Sequence, residues 1–216
     1  MKKLIQTLSL TACAALLLSA CGKDDAKPSA AVFTSGMQDY LAQKGHFCLG
    51  KTDWPINITP NQAAAGEPDA LQLPVLQKLG IVTFKDVMIR YDSPGKSEVL
   101  PTHQYSLTPE GEKYYLKQDF TYARTNGSKQ VRHGDLCAAT LTLDQIVGWE
   151  PPHDENGHKT TAVTYTYKVE SAPWASDPDL ARVFPMLSRV IHGDRQMQLK
   201  EVFTLTDKGW KSVDVM

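Results

Sequence analysis

Of the 216 residues only four are cysteine, Cys13, Cys21, Cys48 and Cys137. No two of them form a Cys-x-x-Cys pair, which excludes a zinc ribbon or a thioredoxin-like redox motif. There is no Gly-x-Ser-x-Gly, no His-Glu-x-x-His and no phosphate-cradling glycine loop, so an enzyme would have to assemble its site from residues distant in sequence. Neither sign of charge is in excess, with 23 Lys and Arg against 24 Asp and Glu. The chain therefore lacks the electrostatic footprint of a nucleic-acid binder, and no nucleic acid is expected as partner. Long apolar runs are missing too, with one exception at the start.

That exception spans residues 4–18, preceded by Lys2 and Lys3 and followed by Ser19, Ala20 and Cys21. A charged start, an apolar stretch and small residues make the layout of a secretory signal peptide, and about 15 residues fall short of the roughly 20 of a spanning helix. Leu18-Ser19-Ala20-Cys21 resembles the lipobox of bacterial lipoproteins. The resemblance implies cleavage before Cys21, a diacylglyceryl thioether on its sulfur and an acylated new amino terminus, so that lipid on Cys21 is the only membrane anchor. Two or more acyl chains hold firmly where one holds marginally. Gly22 stands where the inner-membrane retention signal of enterobacterial lipoproteins carries Asp, which implies the outer membrane, facing the periplasm. Removing residues 1–20 takes away Lys2 and Lys3 and leaves 21 basic against 24 acidic residues.

With Cys13 in the signal and Cys21 lipidated, Cys48 and Cys137 remain as an even pair in an exported chain. A disulfide is the first reading. Residues 21–32, rich in Lys, Asp, Ala, Pro and Ser, read as a tether. Beyond it the expectation is an α+β fold in two parts, residues 33–117 helical with a hairpin and residues 118–216 an antiparallel sheet covered by a helix.

In the first part, Phe33, Met37, Tyr40 and Leu41 share a helical face, with Ser35 as the expected start cap and Gly45 as the end. A second helix is expected over residues 69–79, started or kinked at Pro74 and closed by Gly80. A strand over residues 81–90 follows, with a bulge expected at Lys85-Asp86 where the apolar alternation changes parity. The segment from Leu76 through the hairpin to Leu107-Thr108-Pro109-Glu110-Gly111 looks like the helix, wing and LTxxG segment of winged-helix proteins. Read from its residues alone it is a helix, a hairpin and a further helix capped by Thr108.

In the second part, Asn126-Gly127 and Asn156-Gly157 are hairpin turns. Cys137, Ala139, Leu141, Leu143, Val147 and Trp149 share one parity, interrupted by Gln145. Val163, Tyr165, Tyr167 and Val169 alternate cleanly, as do Met197, Leu199, Phe203 and Leu205 with Glu201 the exception. Period-two patterning of this extent implies an antiparallel sheet with one face covered. Leu180, Val183, Phe184, Leu187, Val190 and Ile191 form the stripe of the expected cover, kinked or split at Pro185.

Two His-Gly-Asp triplets are the best candidates for chemistry, His133-Gly134-Asp135 and His192-Gly193-Asp194. On an extended segment imidazole and carboxylate two apart point the same way, a weak pattern for metal. Gly and Asp are also default turn residues, and a turn is the reading adopted, with no cofactor and no catalytic residue expected. The tryptophans Trp54, Trp149 and Trp174 are the candidate binding surface, since aromatics concentrate at hot spots, although aromatics in a sheet are first of all core. The expected function is a non-enzymatic, membrane-anchored periplasmic lipoprotein that binds an envelope protein or an incoming one, in assembly, exclusion or toxin immunity. A lipid or small-ligand carrier is the alternative and an envelope enzyme the third. A deep apolar pocket beside Trp149, Tyr165 and Phe184 would favour carriage.

Overall fold

A computed structural model of the chain describes residues 27–123 and 127–216. The fold is α+β. Helix α1 (Ala30–Lys44) opens it, capped by Ser29, whose side chain accepts from the Val32 amide. The expected tether therefore ends before residue 30, and Ser35 lies inside the helix on its exposed side. Gly45 closes α1 by donating to the Leu41 carbonyl. A Cβ there would lie 2.4 Å from the carbonyl oxygens of both Leu41 and Leu141, so only glycine lets helix and strand meet.

The short strand β1 (His46–Cys48) pairs antiparallel with a much longer one, bringing Cys48 opposite Cys137, and the two are joined by a disulfide. Next come β2 (Ile56–Ile58), α2 (Pro60–Ala65) and α3 (Pro68–Lys78). Helix α3 runs through Pro74 instead of starting there. Gly80, at φ +75, lets Ile81 donate to the Leu76 carbonyl and Gly80 to Gln77, a Schellman closure.

Two twelve-residue strands, β3 (Val82–Ser93) and β4 (Lys96–Leu107), then form a long hairpin in the order β2-β4-β3. Their register runs without a shift from Val82↔Leu107 to Ser93↔Lys96, so the bulge expected at Lys85-Asp86 does not form. The change of apolar parity has another cause. At the base Val82, Phe84, Tyr105 and Leu107 turn one face to the core, whereas towards the tip both faces carry apolar residues. The Thr108 hydroxyl accepts from the Gly111 amide, but the expected helix capped by Thr108 does not form: the segment is a single 3-10 turn (Gly111–Tyr114) with Glu110 at its cap position.

After β5 (Tyr115–Leu116) and the hairpin of β6 (Phe120–Ala123) and β7 (Lys129–Arg132), the long strands follow: β8 (Asp135–Trp149), β9 (His153–Glu155) and β10 (His158–Ser171). Asn156 and Gly157, both at positive φ, make the β9–β10 turn; Asn126 lies outside the described residues. Helices α4 (Pro178–Val183) and α5 (Pro185–His192) are the expected stripe split at Pro185. Strands β11 (Gln198–Thr206) and β12 (Gly209–Ser212) complete a sheet in the order β1-β8-β10-β11-β12, with β5 on β8 and β9 on β10.

The polar Gln145 in β8 is explained by register. Tyr167 faces Leu143, Thr166 faces Gln145, Tyr165 faces Ile146 and Val163 faces Trp149, with irregularities that leave Asp144 and Val147 as extra residues. Two bulges thus turn Gln145 away and bring Ile146 into the apolar row.

The cover of this sheet differs from expectation. Phe33, Met37 and Leu41 of α1 pack on Leu141, Val163, Tyr165, Tyr167, Phe203 and Trp210, joined by Val190 of α5. Helix α4 turns instead to α3, through the Lys78–Asp179 ion pair and Gln72 donating to the Val183 carbonyl. A second cluster, around Leu73, Leu76, Leu136, Trp174, Leu180 and Leu187, joins the hairpin base to the sheet. Within residues 33–117, α1, β1 and β5 pack on or pair with the sheet, and β2, α2, α3, β3 and β4 form a lobe against it. No helix among the described residues is long and apolar enough to cross a membrane.

Glu201, the exception in the β11 pattern, is buried on the covered face and accepts from the Ser212 hydroxyl at 2.6 Å. Burial raises its pKa, with the Ser212 hydrogen bond opposing. A raised carboxyl favours the folded state most below its ordinary value of about 4.3, and that contribution is lost as pH rises through the folded value. Thermal midpoints of Glu201→Gln and the parent chain should therefore diverge as pH rises above about 4.3, the variant gaining relative to the parent. Parallel curves would show that the hydrogen bonds to the carboxylate offset its burial.

Candidate functional site

The segment after the disulfide is held by buried polar groups. Asp135, fully buried, accepts from the Gly50 amide at 3.1 Å and the Lys51 amide at 2.7 Å. Lys51, itself buried, reaches Asp69 at 2.5 Å and Gln72 at 2.6 Å, with its ammonium 5.6 Å from the centre of the Phe184 ring. Charge-assisted bonds of this kind are worth about twice a neutral one. They fix the loop that follows, Thr52, Asp53, Trp54 and Pro55.

That loop is one wall of an open cleft of about 510 Å³, whose other walls are Ser106 and Leu107 at the foot of β4, then Glu112, Tyr115, Lys117 and His133. The Tyr115 hydroxyl donates to the Thr52 carbonyl at 2.6 Å. Burial, then the neighbouring Asp53 carboxylate, pushes the Tyr115 phenol up, so it stays protonated and remains a donor. The rim is charged and paired: Asp53 with Arg132, His133 with Asp119 at 2.7 Å, Lys117 with Glu112 at 3.9 Å. Trp54 is half-buried against the core of the lobe, and its Nε1 is buried with no hydrogen-bond partner among the described residues. A buried indole N–H ordinarily finds an acceptor.

Of the expected binding residues, only Trp54 and His133 are brought together. Trp174 is core, stacked edge-on to Tyr114 at 5.5 Å, and cannot present a surface. Trp149 lies on the other side of the core, its ring 5.2 Å from Phe33 and 38% of it exposed. Tyr165 and Phe184 are filled core in two different clusters, so they form no cleft with Trp149.

The His-Gly-Asp triplets do not present imidazole and carboxylate together. His133 faces solvent while Asp135 is buried beneath it. His192 bonds its own helix at the Ser188 carbonyl, whereas Asp194 accepts from the Val169 amide at 2.7 Å. No group of three or more His, Cys, Asp or Glu suited to a metal occurs among the described residues. The triplets share a structural logic instead. A Cβ on Gly134 would lie 2.4 Å from the Tyr115 hydroxyl and one on Gly193 2.5 Å from that of Tyr167, so each glycine admits a tyrosine and each aspartate latches a neighbouring amide. Cys21 lies outside the described residues.

Sequence reasoning missed Asp53, Tyr115 and Arg132. Asp53 and Arg132 had only adjacency to Trp54 and His133 as a signal and Tyr115 had none, because the ion pair and hydrogen bond that gather them join residues far apart along the chain. The molecule thus defines a class, an α+β protein with a disulfide-tied sheet and an amphipathic cleft between sheet and lobe. No family model matches the chain, and no match to it was found among curated proteins or solved structures.

Proposed function

We propose that this protein is a lipoprotein of the bacterial envelope, held to the outer membrane by lipid on Cys21 and acting in the periplasm by binding a protein partner, not by turnover. The observation that carries the binding role is Trp54: a half-buried indole lining an open cleft and ringed by ion pairs. An aromatic anchor inside a polar rim is the composition of interaction hot spots. The export and lipid reading rests on the residues around Cys21 and accords with the Cys48–Cys137 disulfide.

The experiment is photo-crosslinking in cells from a reactive side chain placed at Lys117 on the rim. One discrete protein adduct is expected. Alanine at Trp54 should weaken that complex by about 2 kcal/mol or more, whereas alanine at His192 and Asp194 should leave it unchanged. Cys21→Ser should abolish labelling by a fatty-acid analogue and release the protein from membranes. Label and membrane association surviving Cys21→Ser would remove the lipoprotein reading, and an adduct indifferent to Trp54→Ala would remove the cleft from it.

Carriage of a small apolar ligand is a second reading, favoured by a hollow of about 560 Å³ lined by Leu205, Val213 and Met216 among polar residues. Its volume is in the range of ligand pockets, about 300–1,000 Å³.

A further inference from the structure

Strand β3 is the outer strand of the β2-β4-β3 sheet. Twelve residues long, it contains no proline and pairs with β4 without a bulge. Long unbulged edges are ordinarily blunted, because their unpaired amides and carbonyls are a template for another strand. The apolar side chains near the tip are exposed as well, Met88 at 66% and Val99 at 47%.

The orientation of the free backbone groups follows from the turn. Ser93 and Lys96 face each other across Pro94-Gly95, with Gly95 at φ +77, so Ser93 accepts from Lys96 as a β-turn requires. Hydrogen-bonding direction alternates along an antiparallel strand. Odd-numbered residues of β3 therefore bond to β4, and the even-numbered ones, Phe84, Asp86, Met88, Arg90 and Asp92, turn their amides and carbonyls outward.

We propose that this edge pairs with the same edge of a second copy of the chain, antiparallel, with Met88 opposite Met88 on the two-fold axis. The charges select that register. Centred on Met88, Asp86 of each copy faces Arg90 of the other, giving two ion pairs on the face that carries Met88. Val87 faces Ile89 twice on the opposite face. Opposite charges and β-branched pairs placed directly across from each other both stabilise sheets. Centring on Asp86 or Arg90 would oppose like charges, centring on Ile89 would set Asp86 against Asp92, and centring on Val87 would form no ion pair. The existing bonds of these side chains do not conflict: Asp86 accepts from His103 at 2.6 Å and Arg90 donates to Ser97 at 3.3 Å, which leaves each with spare capacity. The result is a six-stranded sheet across an isologous interface.

One strand pair buries less than the roughly 1,200 Å² of standard interfaces, so association in the micromolar range is expected. The test is sedimentation of the full-length chain in mild detergent, from about 1 to 100 µM. The parent should pass from monomer to dimer. Asp86→Arg and Arg90→Asp should each weaken dimerisation by about tenfold or more, with thermal midpoints unchanged because both side chains are exposed. Mixing these two single variants should restore a dimer, as should the double swap in one chain. In the same protein Met88→Cys should cross-link on oxidation, since directly opposed residues lie about 5.5 Å apart, and Val99→Cys, on the inner strand, should not. A parent that stays monomeric throughout would overturn the proposal. So would single variants that dimerise like the parent, or a Met88→Cys cross-link in cells to a different protein, which would assign the edge to a foreign strand.

Discussion

Replacing Phe33 with alanine is expected to lower the unfolding free energy by about 3–5 kcal/mol, the range for deleting a large aromatic from a packed core. Phe33 is fully buried, with its ring 5.2 Å from Trp149, 5.8 Å from Phe203 and 5.5 Å from Trp210. It touches three different strands through one side chain of α1. Collapse around the cavity is limited because the neighbouring rings are themselves held by strand pairing, so the cost should fall towards the upper end. The measurement is urea unfolding of the parent and variant, and a loss below about 1 kcal/mol would show that α1 is not what covers the sheet. Trp149→Ala removes a ring already more than one-third exposed and should cost markedly less. The contrast between the two tests whether α1 or the sheet's exposed end carries the stability.

The second large effect is expected from removing the disulfide. Cys48 and Cys137 are 89 positions apart, and releasing a loop of that length returns about 4–5 kcal/mol of chain entropy to the unfolded state on the loop-closure model. Typical domains have only about 5–15 kcal/mol in total. The double replacement Cys48→Ser and Cys137→Ser should therefore bring the protein close to its unfolding threshold. The consequence is local as well, because β1 is three residues long and lies at the sheet's edge, and the loop beyond it carries Trp54. Reductant should lower the melting temperature of the parent and leave that of the double variant unchanged. An equal response in both, or none in either, would contradict this.

Which parts of this were legible beforehand follows from the range of the interactions concerned. Local chemistry was readable: the alternation in β10, the Asn156-Gly157 turn, the stripe split at Pro185. Each is settled within a few residues by backbone preference or by which side chains avoid water. The pairing of Cys48 with Cys137 was readable because elimination left no other pair in the reading adopted for the first 21 residues. Where the sequence misled, a contact distant along the chain had overridden a local preference. Ser35 has a cap's chemistry, but Ser29 begins the helix because Phe33 must already be helical to reach the sheet. The parity change at Lys85-Asp86 looked like a bulge, and only the register with β4 shows an unbulged strand whose tip carries apolar residues on both faces. Gln145 broke its pattern until pairing with Thr166 placed bulges on either side of it.

The site divides in the same way. Trp54 and His133 stood out as residue types, and so did Trp149 and Trp174. Composition could not say that Trp174 is core, that Trp149 is on the far side, or that Asp135 is a buried latch while His133, two residues earlier, is at the rim of a cleft. Those outcomes depend on how the lobe docks against the sheet, through Lys51, Asp69 and Gln72 on one side and Tyr115 on the other. By itself the sequence determined the class of fold, the disulfide partners and the local form of most elements, because those follow from neighbours along the chain. The tertiary structure alone decided which helix covers the sheet, which aromatics remain at the surface and which edge is left unpaired, because burial is a property of what packs from elsewhere.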